Sequence, residues 1–259
     1  AIDVAPARGL SNPHQVALER AGLAREVLVD RVRKLVREPA RVALSLLWEC
    51  LGPAALERED LPVVGAFGRN ERRVLGQMLE RGLNSPLTTS MGRLFDGIAA
   101  LVGFRGRVTF EGEAAMALEF AADISERGMY VVPFVRPEPG SGGAAGGDAA
   151  APTLMDWGPL VEGVLRDLKK GVAPGVIAAR FHNGLVAGAA HMARTTGIER
   201  VALTGGCFQN RLLTERLAAA LERGGHTVLL HEQVPPNDGG VSLGQIMVAA
   251  AQLAAEEER

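Results

Sequence analysis

The sequence predicts an α/β protein with a mostly helical first half and a second half in which strands and helices alternate. Two observations carry this prediction. Apolar residues recur at helical spacing among charged ones through the first half. In the second half, the β-rich runs VALT at 201–204 and TVLLH at 227–231 are separated and followed by helix-forming stretches. Short connections of this kind favour a parallel sheet covered by helices, with ligand sites beyond the carboxyl ends of the strands.

The first half is expected to contain a series of helices followed by one strand. Ser11, Asn12 and Pro13 are typical of a helix start, and Pro39 separates the first helix from the second. The predicted helices cover residues 11–37, 42–51, 70–83, 89–102 and 111–128. The run MYVVPFV at 129–135 is short and rich in β-branched and aromatic residues, and therefore predicts a strand.

The segment PEPGSGGAAGGDAAAP at 137–152 predicts a flexible surface loop, because glycine, alanine and proline offer little surface to bury. We interpret it as an insertion within one body rather than a domain boundary. Helices are then expected at 156–169, 175–196, 210–223 and 242–254, with a turn at 237–240. The predicted divisions are a helical segment of unknown affiliation (1–36), a mostly helical part (37–136), the loop (137–152) and an α/β part (153–259).

The composition limits the class of protein. At 259 residues and 27.3 kDa, with 47% hydrophobic and 22% charged residues, the chain is able to bury a core and is not a disordered polyelectrolyte. A net charge of −2 gives no indication of nucleic acid or membrane binding, and we expect neither partner. Cys50 and Cys207 are too few for a disulfide framework, which favours a reducing cytoplasm and two buried thiols.

The first candidate site is the stretch LTGGCFQN at 203–210, where a strand runs into a double glycine and then a helix. Gly205 and Gly206 lack Cβ atoms and let backbone N–H groups approach an anionic or planar ligand, while the N-terminus of the next helix favours negative charge. Asn210 both donates and accepts hydrogen bonds, as recognition of an adenine edge or a ribose hydroxyl requires. These features suit a nucleotide, and the alternative is a tight turn without a ligand.

The second candidate is the NDGG stretch at 237–240, which is either a simple turn or a functional bend before a helix. Asp238 is placed to cap that helix or to bind a hard or borderline metal, although one carboxylate does not complete a metal site. The five histidines show no H-x-x-H or H-x-x-x-H spacing. His182 is a candidate active-site residue, with a packed or capping histidine as the alternative. Asp96 and Glu111 are either functional or solvated helix residues.

Taken in order, six stretches of the chain resemble the carboxyl-terminal part of HypF carbamoyltransferases, in their Kae-like transferase domain. The stretches cover residues 37–44, 89–96, 110–115, 181–183, 204–210 and 237–245. The motifs GRLFD, GGxxxN and NDGGxxLGQ are the most specific to this family. The similarity extends over roughly residues 37–253.

The resemblance implies an actin-like, RNase H-type ATPase fold, of which this chain forms the second half. In HypF-like proteins a separate domain makes carbamoyl adenylate from carbamoyl phosphate and ATP. The transferase domain then passes the carbamoyl group to the terminal cysteine of HypE, where it becomes the cyanide ligand of nickel-iron hydrogenase. The resemblance further implies that Gly205, Gly206 and Asn210 hold the adenosine, that Asp96 and Glu111 meet the ribose hydroxyls, and that Asp238 binds a divalent metal, iron or zinc.

The sequence also departs from the family pattern. The acylphosphatase-like segment, the cysteine-rich zinc modules, the adenylate-forming domain and the histidine-containing upstream half of the transferase domain are not found in it. Ala40 stands where the family usually has tryptophan, and Cys207 where it often has valine. We therefore predict a fragment, a split subunit or a truncated homologue that requires the remainder for activity. The alternatives are a tRNA threonylcarbamoyl transferase or another actin-like ATPase, and a non-catalytic interaction module.

Overall fold

The computed structural model describes residues 27–28, 38–83, 85, 87–104, 106–135 and 153–257. The α-helices are α1 Pro39–Leu51, α2 Pro62–Gly65, α3 Arg69–Glu80, α4 Met91–Leu101, α5 Glu113–Ala121, α6 Gly158–Lys169, α7 Pro174–Thr196, α8 Arg211–Arg223 and α9 Val241–Glu257. The strands are β1 Val27–Leu28, β2 Leu87–Thr88, β3 Phe134–Val135, β4 Leu154–Met155, β5 Arg200–Ala202 and β6 Thr227–Leu229. Short 3-10 turns occupy Gly52–Glu57, Gly206–Gln209 and Asp238–Gly240. The described residues are therefore mostly helical, with few strands.

Proline and glycine set the ends of α1 and α7. The first turn of α1 begins at Pro39 and that of α7 at Pro174, where the missing N–H has no intrahelical partner to lose. Both helices stop at a glycine with positive φ, Gly52 at 64° and Gly197 at 66°. The predicted helices at 42–51, 70–83, 89–102 and in the second half are confirmed to within a few residues, while the helix predicted at 111–128 covers only Glu113–Ala121.

The helix predicted over residues 11–37 is wrong at Val27–Leu28, which form a strand antiparallel to Leu87–Thr88. Val27 and Val29 flank Leu28, and β-branched residues fit an extended chain better than a helix. The remainder of 11–37 and the predicted loop at 137–152 lie outside the described residues.

The parallel pairing predicted for the second half is confirmed. β5 and β6 run parallel with Val201 opposite Val228, and α8 connects them and packs on β6 and α7. The strands are shorter than predicted, and each sheet within the described residues has two strands. Parallel pairing brings the carboxyl ends of β5 and β6 to one edge, from which both glycine-containing bends leave.

The strand predicted at 129–135 is wrong over most of its length, since only Phe134–Val135 pair with another strand. Residues 129–133 instead lie alongside α7, where the Tyr130 N–H donates to the carbonyl oxygen of Arg180. The Tyr130 hydroxyl donates to Asp167 at 2.7 Å. Close approach requires glycine at Gly184, where a Cβ atom would lie 2.6 Å from the Tyr130 carbonyl oxygen. A carbonyl of α7 therefore accepts the Tyr130 N–H in place of a neighbouring strand.

One apolar core joins the two halves. α1, α4 and α7 supply its centre, and Leu46, Ile98 and Phe181 are completely buried there. Phe95 and Phe181 pack edge to face with ring centroids 4.8 Å apart. The two cysteines were expected to be buried, but Cys50 and Cys207 are both only partly buried and form no disulfide.

Candidate functional site

The two glycine-containing bends lie side by side. We call residues 204–210, after β5, the first bend, and residues 235–240, after β6, the second bend. The N–H of Gly205 donates to the carbonyl oxygen of Pro236 at 2.6 Å. A further contact joins the Thr204 hydroxyl and His231 Nε2 at 3.0 Å. The structure thus brings Gly205, Gly206 and Asp238, which the sequence singled out separately, to one edge of the sheet.

The first bend has a backbone that requires glycine. Gly205 has φ 103° and ψ 159°, a region that is essentially open only to glycine. Gly206 begins the 3-10 turn, is exposed, and would have open space around a Cβ atom. A ligand is therefore able to approach the backbone at Gly206 without meeting a side chain at that position.

Asn210 is buried, and its side chain is used inside the protein. Its Oδ1 accepts from the Leu213 N–H at 2.8 Å and caps α8, while its Nδ2 lies 2.9 Å from His182 Nε2. His182 Nδ1 lies 2.7 Å from the carbonyl oxygen of Ala178. A neutral ring that donates from Nδ1 and accepts at Nε2 satisfies both contacts.

His182 is fully buried, and burial lowers its pKa to about 4. Its ring packs against Phe95 with centroids 5.3 Å apart. This geometry favours a role in holding Asn210, while direct catalysis by His182 and contact between Asn210 and a nucleotide stay predictions.

The N-terminus of α8 is already occupied by a carboxylate of the chain. Glu119 Oε1 accepts from the N–H groups of Arg211 and Leu212 at 2.7 and 3.2 Å, and Asn210 takes the next one. The sequence predicted that this helix end favours the negative charge of a ligand. That charge is supplied by Glu119, so the exposed backbone at Gly206 is the part of the first bend that stays open to an approaching group.

Asp96 and Glu111 are brought together by Arg93. Arg93 Nη1 lies 3.0 Å from Asp96 Oδ2, and Nη2 donates to Glu111 Oε1 at 3.2 Å. Burial raises the pKa of Asp96 to about 6, an effect that Arg93 opposes and Glu111 increases. Among the described residues, Nη1 of Arg93 is buried without a well-oriented hydrogen bond. The helix α4, which carries Arg93 and Asp96, packs against the 3-10 turn of the first bend.

Asp238 is exposed at the second bend. The neighbouring Asn237 side chain accepts from the Gly239 N–H at 3.0 Å and caps the turn. The part of the chain that the structure describes contains no cluster of three or more His, Cys, Asp or Glu residues able to hold a metal ion. The described residues therefore do not fit the predicted iron or zinc, because Asp238 alone supplies one ligand.

Sequence reasoning missed Glu119 and Arg93, both of which organise the site. Glu119 lies 92 residues from the helix end that it caps, and Arg93 is one of many arginines on predicted helices. The GRLFD motif contained Arg93, but only the position of its aspartate was interpreted.

No helix among the described residues is long and apolar enough to cross a bilayer.

The fold and the paired bends agree with a family comparison. A family model described as "Carbamoyltransferase, Kae1-like Domain, second subdomain" matches residues 14–245. The chain belongs to this family. The resemblance to HypF carbamoyltransferases is confirmed, and the match includes most of the segment 1–36 whose affiliation the sequence left open.

Individual relatives are HypF proteins. Carbamoyltransferase HypF of Synechocystis is 34% identical over 229 residues, which cover 83% of this chain and 28% of the relative. Carbamoyltransferase HypF2 of Cupriavidus necator is 35% identical over 252 residues, covering 90% and 30%. A solved structure of full-length HypF in the phosphate- and nucleotide-bound form superposes with a TM-score of 0.76 at 30% identity, covering 90% of this chain and 29% of that chain. The chain thus spans less than a third of the length of these relatives.

Proposed function

We propose that this chain is the adenylate-holding half of a HypF-type carbamoyltransferase domain with an actin-like ATPase fold. It would help to move a carbamoyl group from carbamoyl adenylate to the C-terminal cysteine of a HypE-like acceptor in hydrogenase maturation. The hydrogen bond between Gly205 and Pro236, which joins the two bends, is the observation that carries the proposal. Family membership and a related HypF structure in a nucleotide-bound form support it.

In this proposal the nucleotide rests on the first bend. The Gly205–Gly206 backbone lies against its phosphate or base, where the absence of a side chain permits close contact. Asp96 and Glu111 accept hydrogen bonds from the ribose hydroxyls. Their shared contact with Arg93 supports this role, because Arg93 places the two carboxylates beside each other and α4 packs against the 3-10 turn of the bend.

His182 acts in this proposal as a positioning residue for Asn210. Both of its ring nitrogens are engaged, and its lowered pKa keeps the ring neutral at physiological pH. A neutral ring accepts the Asn210 amide proton, whereas a protonated ring would oppose a second donor. Asn210 in turn fixes the start of α8 and the end of the first bend.

The transfer step requires that the leaving group be held while the acceptor attacks. The cysteine sulfur attacks the carbamoyl carbon, the bond from that carbon to the phosphate oxygen breaks, and AMP leaves with the electron pair as the thiol proton is released. This chain would hold the AMP. A metal ion would polarise the carbamoyl oxygen, but the described residues offer only Asp238, and we assign no step to it.

The remaining parts of a HypF protein would supply the other steps. Carbamoyl phosphate and ATP would be converted to carbamoyl adenylate elsewhere, since the chain corresponds to only 28–30% of the relatives with which it was compared. We therefore expect the chain to be inactive without that remainder. The alternative of a non-catalytic module is favoured by one observation, which is that Glu119 already occupies the end of α8.

Nucleotide titration tests the proposal with a matched pair of glycine variants. AMP and ATP are titrated by calorimetry into the chain combined with the Synechocystis relative from which the matched segment has been deleted. A Gly206→Ala side chain meets nothing within 4 Å in the free protein, so it should preserve the fold and weaken nucleotide binding by about tenfold or more. The control Gly68→Ala, also exposed and open, should bind as the wild type does.

A transfer assay completes the test. The same mixture is supplied with carbamoyl phosphate, ATP and a HypE-type acceptor, and carbamoylation of the acceptor is followed by mass spectrometry. The proposal predicts product with the wild type and much less with Gly206→Ala. Absence of nucleotide binding at millimolar concentration would instead support the non-catalytic module.

A further inference from the structure

Two arginine side chains from distant parts of the chain meet at one backbone carbonyl. Arg127 Nη1 donates to the carbonyl oxygen of Ile124 at 3.1 Å, and Arg216 Nη2 donates to the same oxygen at 3.0 Å. Arg127 follows α5, whereas Arg216 lies on α8. Two like charges repel each other, and a negative charge nearby would offset that repulsion.

The fold fixes the position of Arg216. Its Nη1 donates to Asn183 Oδ1. The Asn183 Nδ2 donates in turn to the carbonyl oxygens of Glu126 and Gly128 at 3.2 and 2.8 Å. These contacts hold the segment 124–128 against α7 and α8, so the backbone places the two guanidinium groups beside each other.

No carboxylate among the described residues neutralises this pair of arginines. Glu126 precedes one of them in sequence, but it pairs with Arg180 at 3.3 Å. Glu215 precedes the other, but it pairs with Arg211 at 2.6 Å. The positive charge of the pair is therefore left for a group from outside the described residues.

Both guanidinium groups also keep hydrogen-bond donors. Burial lowers the pKa of Arg216, and the positive charge of Arg127 lowers it further. A guanidinium group has five N–H donors. Contacts within the described part of the chain use two donors of Arg216 and one of Arg127, so the others are able to meet a ligand.

Large apolar side chains border the two arginines. Ile124, which supplies the shared carbonyl, is 74% exposed, and Met129, directly after the segment 124–128, is 57% exposed. We call Ile124, Arg127, Met129 and Arg216 the arginine surface. A small hydrophilic ion would leave the apolar part of this surface in water. A peptide that combines acidic and apolar side chains would cover both parts.

We propose that the arginine surface binds an acidic segment of a partner protein, in which Asp or Glu is flanked by apolar residues. The planar guanidinium group matches a carboxylate with two parallel hydrogen bonds, and such charge-assisted bonds are stronger than neutral ones. Nucleic acid is a poorer fit, because two arginines on a chain of net charge −2 do not provide the extended basic surface that a phosphate backbone requires.

Peptide binding to the full chain provides the test. The isotope-labelled chain is titrated with a synthetic heptapeptide in which two glutamates are flanked by leucines, and the arginine Nε–H signals are followed by NMR. The signals of Arg127 and Arg216 should move together. The same peptide with glutamine in place of both glutamates should bind about tenfold more weakly or less. Neither nucleotide nor carbamoyl phosphate is present, so the result is independent of the proposed function.

Matched variants separate the arginine surface from the general charge of the chain. Arg127→Gln removes a guanidinium group with one contact in the described chain, so it should keep the wild-type thermal unfolding and weaken the acidic peptide by about tenfold. Arg216→Lys keeps the charge but loses the planar group, and should also weaken binding. The control Arg194→Gln removes an exposed arginine of α7, and should leave binding unchanged.

Four results would overturn the proposal. Equal binding of the glutamate and glutamine peptides would make the contact purely apolar. Equal binding by Arg127→Gln and the wild type would leave the arginines a structural role only. Inorganic phosphate that moves the same signals as strongly as the peptide would identify a small-anion site. No binding of the acidic peptide at millimolar concentration would mean that the arginines serve only to hold the segment 124–128.

Discussion

The two bends of the site differ in how the protein supports them. The first bend is fixed from within, because Asn210 is held by the fully buried His182 and the following helix is capped by Glu119. The second bend has an exposed Asp238 and leads into α9, which is exposed along the whole of 241–254. The difference shows that buried side chains of the core hold the first bend in place, whereas the second bend leads into an exposed helix.

The largest effect is expected where the first bend meets the core. His182→Ala should lower the free energy of unfolding by about 3 kcal/mol, since it leaves a cavity and removes a partner from both Asn210 and the Ala178 carbonyl. Urea unfolding at pH 7, followed by circular dichroism, measures the change.

Asp238→Ala is the matched variant at the second bend. Its side chain is exposed, so the free energy of unfolding should change by less than about 0.5 kcal/mol. If His182→Ala and Asp238→Ala changed the free energy of unfolding by similar amounts, the two bends would depend on the core to the same extent.

The next effect concerns Asp96, which lies on the helix that packs against the first bend. The pKa of Asp96 is raised from 3.8 to about 6, so the folded state binds this proton more tightly than the unfolded state does. Its contribution to stability is fully present below about pH 4 and is lost as pH rises through 6. Asp96→Asn should therefore stabilise the protein at pH 7 by about 2–3 kcal/mol.

The pH dependence separates Asp96 from His182. The pKa of His182 is lowered from 6.5 to about 4, so its contribution is present above 6.5 and is lost as pH falls towards 4. The two groups oppose each other in the wild type. The contribution of His182 is the same in Asp96→Asn and in the wild type, so it cancels in the difference between their free energies of unfolding. That difference should grow from pH 4 to 6 and then stay constant. A difference that is independent of pH would contradict the raised pKa.

A smaller effect separates the neighbouring glycines of the first bend. Gly205→Ala should lower the free energy of unfolding by about 2 kcal/mol, because φ 103° with ψ 159° is strained for any residue with a Cβ atom. Gly206→Ala should stay within about 0.5 kcal/mol, since its Cβ atom would meet open space. Thermal unfolding of the two variants measures both values, and equal losses would mean that the strain is not confined to Gly205.

Local sequence signals predicted the helices, strands and turns of the site better than the long-range contacts between them. The strand-glycine-helix order at 200–223 fixed the first bend, because its turn and cap lie within ten residues of each other. Glu119 could not be assigned, since its partner Arg211 is 92 residues away and no local pattern records that contact. The run at 129–135 was misjudged for the same reason, because the partner of Tyr130 is a helix carbonyl. The periodicity of α9 predicted a helix but not what covers it.

The smallest effect tests the long-range cap of the first bend. Glu119→Ala should lower the free energy of unfolding by about 1 kcal/mol, because the N–H groups of Arg211 and Leu212 lose their acceptor and its negative charge at the start of α8. Glu215→Ala is the control on the same helix, where the ion pair with Arg211 is exposed and should contribute little to the free energy of unfolding. A vacant helix end would also be free to accept an anion. If Glu119→Ala binds AMP more tightly than the wild type does, the carboxylate competes with the ligand's phosphate. Unchanged affinity would instead place the phosphate on the glycine backbone alone.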